Sequence, residues 1–175
     1  MSTSFLLMRH GHADWARVRH CIGWGADVVP LSDLGRQQVR DRIADIKAWQ
    51  PTIILSSPMT RSLETATIVS QALFIPIEVR FELHEWIPKL SMDWRSLDEV
   101  TSLQNDLMAC GGEWPAGQSR DWEPLSRVRS RALSVLDKCG DGQRVLVTAH
   151  RVLMYALTGQ FEIANAEIID FRSSP

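Results

Sequence analysis

The chain has 175 residues, 45% of them hydrophobic and 23% charged, with a formal net charge of −2. That balance suits a globular domain with a real core and excludes collagen-like, low-complexity and disordered classes. No excess or cluster of Lys and Arg is present to neutralise phosphates or anionic lipids, so neither nucleic acid nor a membrane surface is expected as partner.

Phe5 to Met8 is a continuous apolar run ending at Arg9-His10-Gly11, the pattern of a strand buried on both faces. Ligands sit at the carboxyl ends of such strands in parallel sheets. A helix is expected over residues 33–50, with Val39, Ile43, Ile46 and Trp49 on one side, Ser32 as N-cap and Pro51 as stop. Thr52 to Leu55 reads as a second buried strand. The next helix is expected to start with Ser57 as N-cap and Pro58 in its first turn. Pro76 to Val79 reads as a third strand.

Residues 86–123 break the pattern. They hold Trp86, Trp94, Trp114 and Trp122, Pro88, Pro115 and a Gly111-Gly112 break. One helix around 94–109 is expected there, within a small cap insertion over the sheet. Regular pattern returns with Leu125, Val128, Ala132, Val135 and Leu136, a helix opened by Pro124 and closed by Gly140. Val145 to Val147 forms a fourth strand, followed by Ala149-His150, a short helix to Gly159 and an edge strand at Ile168-Ile169. Strands alternating with helices predict an α/β fold: a three-layer α/β/α sandwich with a mostly parallel central sheet. The whole of 1–175 is expected as one domain, with 86–123 as its cap.

The three cysteines, Cys21, Cys110 and Cys139, are odd in number and lack C-x-x-C spacing. Neither a disulfide framework nor a structural zinc site is expected. Free thiols suit a reducing compartment. Residues 1–8 lack a basic start and are too short for a signal peptide, and no apolar run is long enough to cross a bilayer, so a cytoplasmic location is expected.

Four chemical features follow strands: Arg9-His10, Arg61 in the first turn of a helix, Glu85 and His150. In a parallel sheet these ends converge on one rim. The residue types suit phosphoryl transfer. Arg presents a planar fork to phosphate oxygens, and Arg61 adds a helix N-terminus. A neutral His held in one tautomer can attack phosphorus. Gly11 lets backbone approach closely. A second His can stabilise the transition state, and a carboxylic acid can protonate the leaving oxygen.

Leu7-Met8-Arg9-His10-Gly11 resembles the Arg-His-Gly signature of the histidine phosphatase superfamily, the phosphoglycerate-mutase-like enzymes. The resemblance continues through Trp15, Gly23-Trp24 and Pro30-Leu31-Ser32-Asp33-Leu34-Gly35-Arg36-Gln37-Gln38. Ser56 to Ala66 is similar to the family's SSPxxRxxxTA segment, and Val145 to His150 to its VLVVSHG strand. It implies His10 as the nucleophile that becomes phosphohistidine, with Arg9, Arg61, His150 and Gly11 around the transferred phosphoryl group. It implies Glu85 as acid, then base; Glu82 is the competing carboxylate. No metal and no cofactor is implied.

Three positions depart from the family pattern. Ala16 stands where the family has a phosphate-binding Asn, with Arg17 as the nearby cation that could compensate. Arg151 stands where the family has Gly, and either contacts substrate or points to solvent. Glu85 lacks the usual Gly-rich continuation. His10-Gly11-His12 has the H-x-H form of a metal site, but only His20 and Cys21 lie near it, so no metal is expected.

Residues 86–125 carry three basic residues, Lys89, Arg95 and Arg120, against seven acidic ones. That is a poor home for the bisphosphorylated intermediate of a mutase. The expected activity is therefore hydrolysis of a phosphomonoester. The alternative is a pseudo-phosphatase that binds phosphorylated ligands without turnover, with a mutase third. The expected partner is a small phosphorylated substrate; a phosphoprotein and the oligomeric state stay open. The four tryptophans of the cap either stack on the leaving group or anchor the cap to the sheet.

Overall fold

The computed structural model describes residues 3–18 and 23–172. Its centre is a five-stranded sheet: β1 (Ser4–Arg9), β2 (Ile53–Ser56), β3 (Ile77–Val79), β4 (Arg144–Ala149) and β5 (Ile168–Phe171). The strand order is β3-β2-β4-β1-β5. The first four strands run parallel, and β5 pairs antiparallel with β1 at the edge. Parallel neighbours need crossover connections, and the helices supply them.

The alternation of side chains along β1 assigns the two faces. Phe5 and Leu7 point into a core with α5 (Leu125–Leu136), α6 (Arg151–Thr158) and Leu107 of α4 (Leu97–Ala109). Leu6 and Met8 point into the opposite core, against α1 (Asp33–Asp41), α2 (Ile43–Trp49) and α3 (Thr60–Leu73). Val145 and Val147 of β4 join the first core and Leu146 the second. This is the three-layer α/β/α sandwich expected from the apolar runs. Among the described residues, no helix is long and apolar enough to cross a membrane.

The expected helix over 33–50 is two. Ser32 caps α1 as anticipated, its Oγ accepting from Gly35 N at 3.1 Å. The ladder breaks at Arg42, whose N–H turns to Val39 O at 3.1 Å, an i→i−3 bond. Gln50 closes α2 in the left-handed region, at φ 58°. The start expected for α3 is also displaced. Met59, not Ser57, is the residue before its first turn. Ser57 Oγ accepts from Met59 N at 3.3 Å and meets His150 Nε2 at 2.8 Å. The serine is thus drawn across to the neighbouring strand end. Helix α5 stops at Leu136 with Asp137 as its C-cap, so Gly140 does not close it. Gly140 instead sits in the turn to β4, its carbonyl accepting from Thr3 Oγ1 at 2.8 Å.

The segment 86–123 packs into the first core through Trp86, Leu107 and Trp122. Trp122 and Trp86 are buried, Trp122 Nε1 donating to Asp106 and Trp86 Nε1 to the Glu123 carbonyl. Burial of large aromatic area explains why so short a segment holds its place.

Candidate active site

The carboxyl ends of β1 and β4 lie side by side, Arg9 opposite Ala149. His10 N donates to Ala149 O at 3.0 Å, which brings His10 and His150 together at the rim. Their rings meet edge to face, centroids 5.2 Å apart. Both are buried.

The contacts of His10 define its chemistry. Gly11 O lies 2.7 Å from Nδ1 and, being a carbonyl, can only accept. Arg61 Nε, which can only donate, points at Nε2 from 3.3 Å. Each contact independently assigns the tautomer with hydrogen on Nδ1 and a lone pair on Nε2. Burial, reinforced by the Arg61 cation, holds the imidazole pKa well below its ordinary value, so the ring stays neutral. A neutral, oriented imidazole with its lone pair on Nε2 is a nucleophile once that lone pair is released from Arg61.

Arg61 stands in the first turn of α3 and is buried. Its Nη1 donates to Ala26 O at 2.8 Å, and its guanidinium lies 5.5 Å from the centre of the Trp15 ring. Arg9 donates through Nη1 to the Ile163 carbonyl, which leaves its Nε buried and without a partner among the described residues. His150 Nδ1 is likewise buried and unpartnered, while its Nε2 is held by Ser57. Burial, together with Arg61 and His10, also keeps His150 neutral. Orphaned buried polar atoms are rare and mark strain or a missing ligand. The orphaned Arg9 Nε, on a cavity shared with Arg61 and the His10 imidazole, marks a place for an anion.

Glu85 enters the same cavity from the loop after β3. Its Oε1 accepts from Trp86 N at 2.9 Å and Leu153 N at 3.2 Å, and Oε2 from Val152 N at 3.5 Å. His150 offers α6 no side-chain cap, so Glu85 supplies it from a distance. Glu82, the competing carboxylate, lines a different cavity, between β3 and the end of α5. The loop carrying Glu85 is clamped by Arg131 of α5. Arg131 Nη1 donates to the carbonyls of Glu82 and His84 and Nη2 to that of Glu85, while the same guanidinium pairs with buried Glu123 at 2.9 Å.

A cavity of about 210 Å³ opens over His10. It is lined by Arg9, Arg61 and Glu85, by the apolar Trp15, Trp86, Trp94, Leu97 and Val100, and by Arg151 and Gln104. Of the four cap tryptophans, Trp86 and Trp94 face this space and Trp122 is buried in the core. Arg151 does not point freely into solvent: Nη2 donates to Gln104 Oε1 at 3.0 Å and the guanidinium stacks 4.9 Å from the centre of Phe161.

The remaining site residues fall as follows. Gly11 is forced by the approach of chain to chain: a Cβ there would lie 2.4 Å from the Gly35 carbonyl oxygen. Its N–H goes to Thr65 Oγ1 at 3.3 Å. Ala16 is exposed and supplies no donor to the cavity. The Arg17 side chain, His20 and Cys21 lie outside the described residues. His12 Nδ1 meets Ser32 Oγ at 2.9 Å, at the start of α1.

Sequence reading missed Ser57 as the partner of His150, Asp27 in the cavity wall and Arg131 beneath Glu85. Arg131 had a signal. It sits between Val128 and Val135 at helical spacing, a lone cation on the apolar face of α5.

A parallel-centred α/β sandwich with two histidines and two arginines at one strand rim is the architecture of a phosphoryl-handling enzyme class. The model of the histidine phosphatase superfamily (branch 1) matches residues 5–173, and the chain belongs to that family. The chain is 25% identical over 169 residues to an uncharacterised phosphatase, PhoE, of Bacillus subtilis, covering 95% of this chain and 81% of that one. It is 29% identical over 165 residues to a probable phosphoglycerate mutase, GpmB, of Photorhabdus laumondii, covering 87% and 72%. Among solved structures, Bacillus stearothermophilus YhfR superposes with a TM-score of 0.73 at 24% identity, covering 97% of this chain and 90% of that chain. A mycobacterial glucosyl-3-phosphoglycerate phosphatase in complex with VO3 superposes with a TM-score of 0.70 at 19% identity, covering 95% and 90%. Those two likenesses carry the fold.

Proposed function

We propose that the protein is a metal-independent phosphatase that hydrolyses a small phosphomonoester through a phosphohistidine at His10. The observation that carries this reading is the double restraint on His10: Gly11 O on one nitrogen and the Arg61 cation at the other.

In the first step Arg61 shifts its donor from Nε2 to the incoming phosphate, freeing the lone pair. Nε2 attacks phosphorus as the bond to the leaving oxygen breaks. Arg9, Arg61 and the orphaned Nδ1 of His150 hold the equatorial oxygens, where charge spreads in the transition state. The protonated carboxyl of Glu85 gives its proton to the leaving oxygen. In the second step the Glu85 carboxylate takes a proton from water, the water oxygen bonds phosphorus and the P–N bond breaks. Phosphate leaves and His10 is neutral again. Gly11 supports the loop under His10, and Arg151 contacts the leaving group at the rim. Residues 86–123 form the cap that shields the reaction from solvent, in a single domain of 175 residues.

Hydrolysis is favoured over transfer because two of the three cap cations are already engaged. Lys89 pairs with Asp93 at 3.0 Å and Glu99 at 3.2 Å, and Arg120 with Asp106 at 3.3 Å. Among the described residues of the cap, that leaves Arg95 for a second phosphate. A reducing, cytoplasmic setting fits the free Cys110 and Cys139.

The test is turnover of p-nitrophenyl phosphate in the presence of EDTA. The reading expects activity that survives chelation and falls at least about 10⁴-fold in His10→Ala. Loss of activity on chelation would point to a metal hydrolase. No turnover on a broad panel with phosphate still bound would favour the binding-only alternative.

A further inference from the structure

Among the described residues, Asp27 is the one charged residue of the cavity wall that the proposed reaction does not use. It sits in the short 3-10 turn Gly23–Val28, which Arg61 fixes by donating to Ala26 O at 2.8 Å. Arg61 directs Nε at His10 and Nη2 at the Met59 sulfur, and among the described residues no hydrogen bond joins it to Asp27. Oδ1 of Asp27 is buried and has no hydrogen-bond partner among the described residues. Burial raises the pKa of the carboxyl, against the pull of Arg61.

Its position is at a junction. Asp27 lines the His10 cavity and also a second, mostly apolar cavity of about 180 Å³. Met59, Glu85, Trp86 and Trp94 border both. A leaving group that extends from the phosphate toward the second space passes along the Asp27 carboxylate. Glu85 borders the same two spaces, but the proposed reaction commits its carboxyl to proton transfer.

We propose that Asp27 determines specificity, accepting a hydrogen bond from a hydroxyl or ammonium on the leaving alcohol and disfavouring leaving groups that carry a second anion. An acceptor desolvated between apolar walls is costly until a ligand donor satisfies it. The same carboxylate repels a second carboxylate or phosphate brought to the junction. The substrate class is then an apolar or aromatic phosphomonoester bearing a neutral or cationic donor. This rests on the reading of the His10 cavity as a phosphomonoester site.

The experiment compares kcat/KM for para-aminomethylphenyl, para-carboxyphenyl and unsubstituted phenyl phosphate, in wild type and Asp27→Asn. Normalised to phenyl phosphate, the aminomethyl ester is expected to exceed the carboxy ester at least about tenfold in wild type. That ratio is expected to collapse in Asp27→Asn. No preference in wild type, or an unchanged ratio in the variant, overturns the proposal. The corresponding free phenols provide an arm that needs neither turnover nor a folded variant. Their binding to wild type, followed by tryptophan fluorescence, is expected to be tighter for the aminomethyl phenol than for the carboxy phenol. Equal binding, or the reverse order, also overturns the proposal. If no ester is hydrolysed but the phenols bind in the expected order, the catalytic reading fails and Asp27 keeps its role.

Discussion

His10 illustrates how much chemistry two contacts can impose on one side chain. Its tautomer is set from both nitrogens, and burial keeps it neutral. The partner histidine is held at one nitrogen only, by the Ser57 hydroxyl, which orients the ring without fixing its tautomer. Replacing Ser57 with Ala removes the hold on His150 Nε2 and is expected to cost about tenfold in kcat, since a misoriented transition-state donor loses most of its value. Unchanged kcat would show that His150 is positioned by packing alone. Glu85→Gln removes the transferable proton. It is expected to slow hydrolysis about 10²- to 10⁴-fold for an alkyl phosphate, and less for p-nitrophenyl phosphate, whose leaving group needs little protonation. Equal loss on both esters would take the acid role from Glu85.

At the scale of elements, the strand ends place the chemistry and the helix starts finish it. Helix α3 delivers Arg61 in its first turn, and α6 presents two N–H groups that Glu85 caps. Helix α5 contributes Arg131, whose guanidinium joins three successive parts of the Glu85 loop to buried Glu123. Arg131→Met leaves the buried Glu123 charge with only the Ile87 N–H at 3.3 Å and the exposed Arg127 at 4.0 Å, and is expected to cost about 3–5 kcal/mol of stability in denaturant unfolding. Arg131→Lys should recover only part of it, because an ammonium cannot span the same acceptors as a fork. A loss below about 1 kcal/mol would show the clamp to be incidental. The elements themselves were legible because their apolar runs and helical stripes match burial closely: Phe5 to Met8, Val145 to Val147 and the Val128 stripe all fell where expected. What was not legible depends on neighbours distant in sequence. Ser57 has the signature of an N-cap, and only the β4 rim, some ninety positions on, turns it toward His150. The break at Arg42 leaves no mark in the apolar spacing, which runs through both α1 and α2. Arg9, His10, Arg61, Glu85 and His150 could be named from order and resemblance. Asp27 could not, because nothing local shows that its carboxylate faces a cavity.

For the whole molecule, the response to acid is shaped by the three histidines that are buried among the described residues. The pKa values of His10, His84 and His150 are all held below the ordinary 6.5, in each case chiefly by burial. In the unfolded chain these rings take up protons as pH falls through 6.5, while in the folded chain they do not. Stability is therefore full above that value and declines below it, until the folded-state pKa values are reached. The slope approaches about 1.4 kcal/mol per pH unit for each ring. Thermal or denaturant midpoints measured from neutral to mildly acidic pH should fall accordingly, and His150→Gln should flatten the fall. A flat profile in wild type would mean that the rings take up protons without unfolding.

The central claim is that His10 carries the phosphoryl group. It is tested most directly by quenching the enzyme in base during turnover of a labelled phosphomonoester and mapping the label by peptide mass spectrometry. The account predicts a base-stable, acid-labile phosphoryl group on His10 Nε2 that is absent from His10→Ala. A label on another residue, or full turnover by His10→Ala, would contradict it.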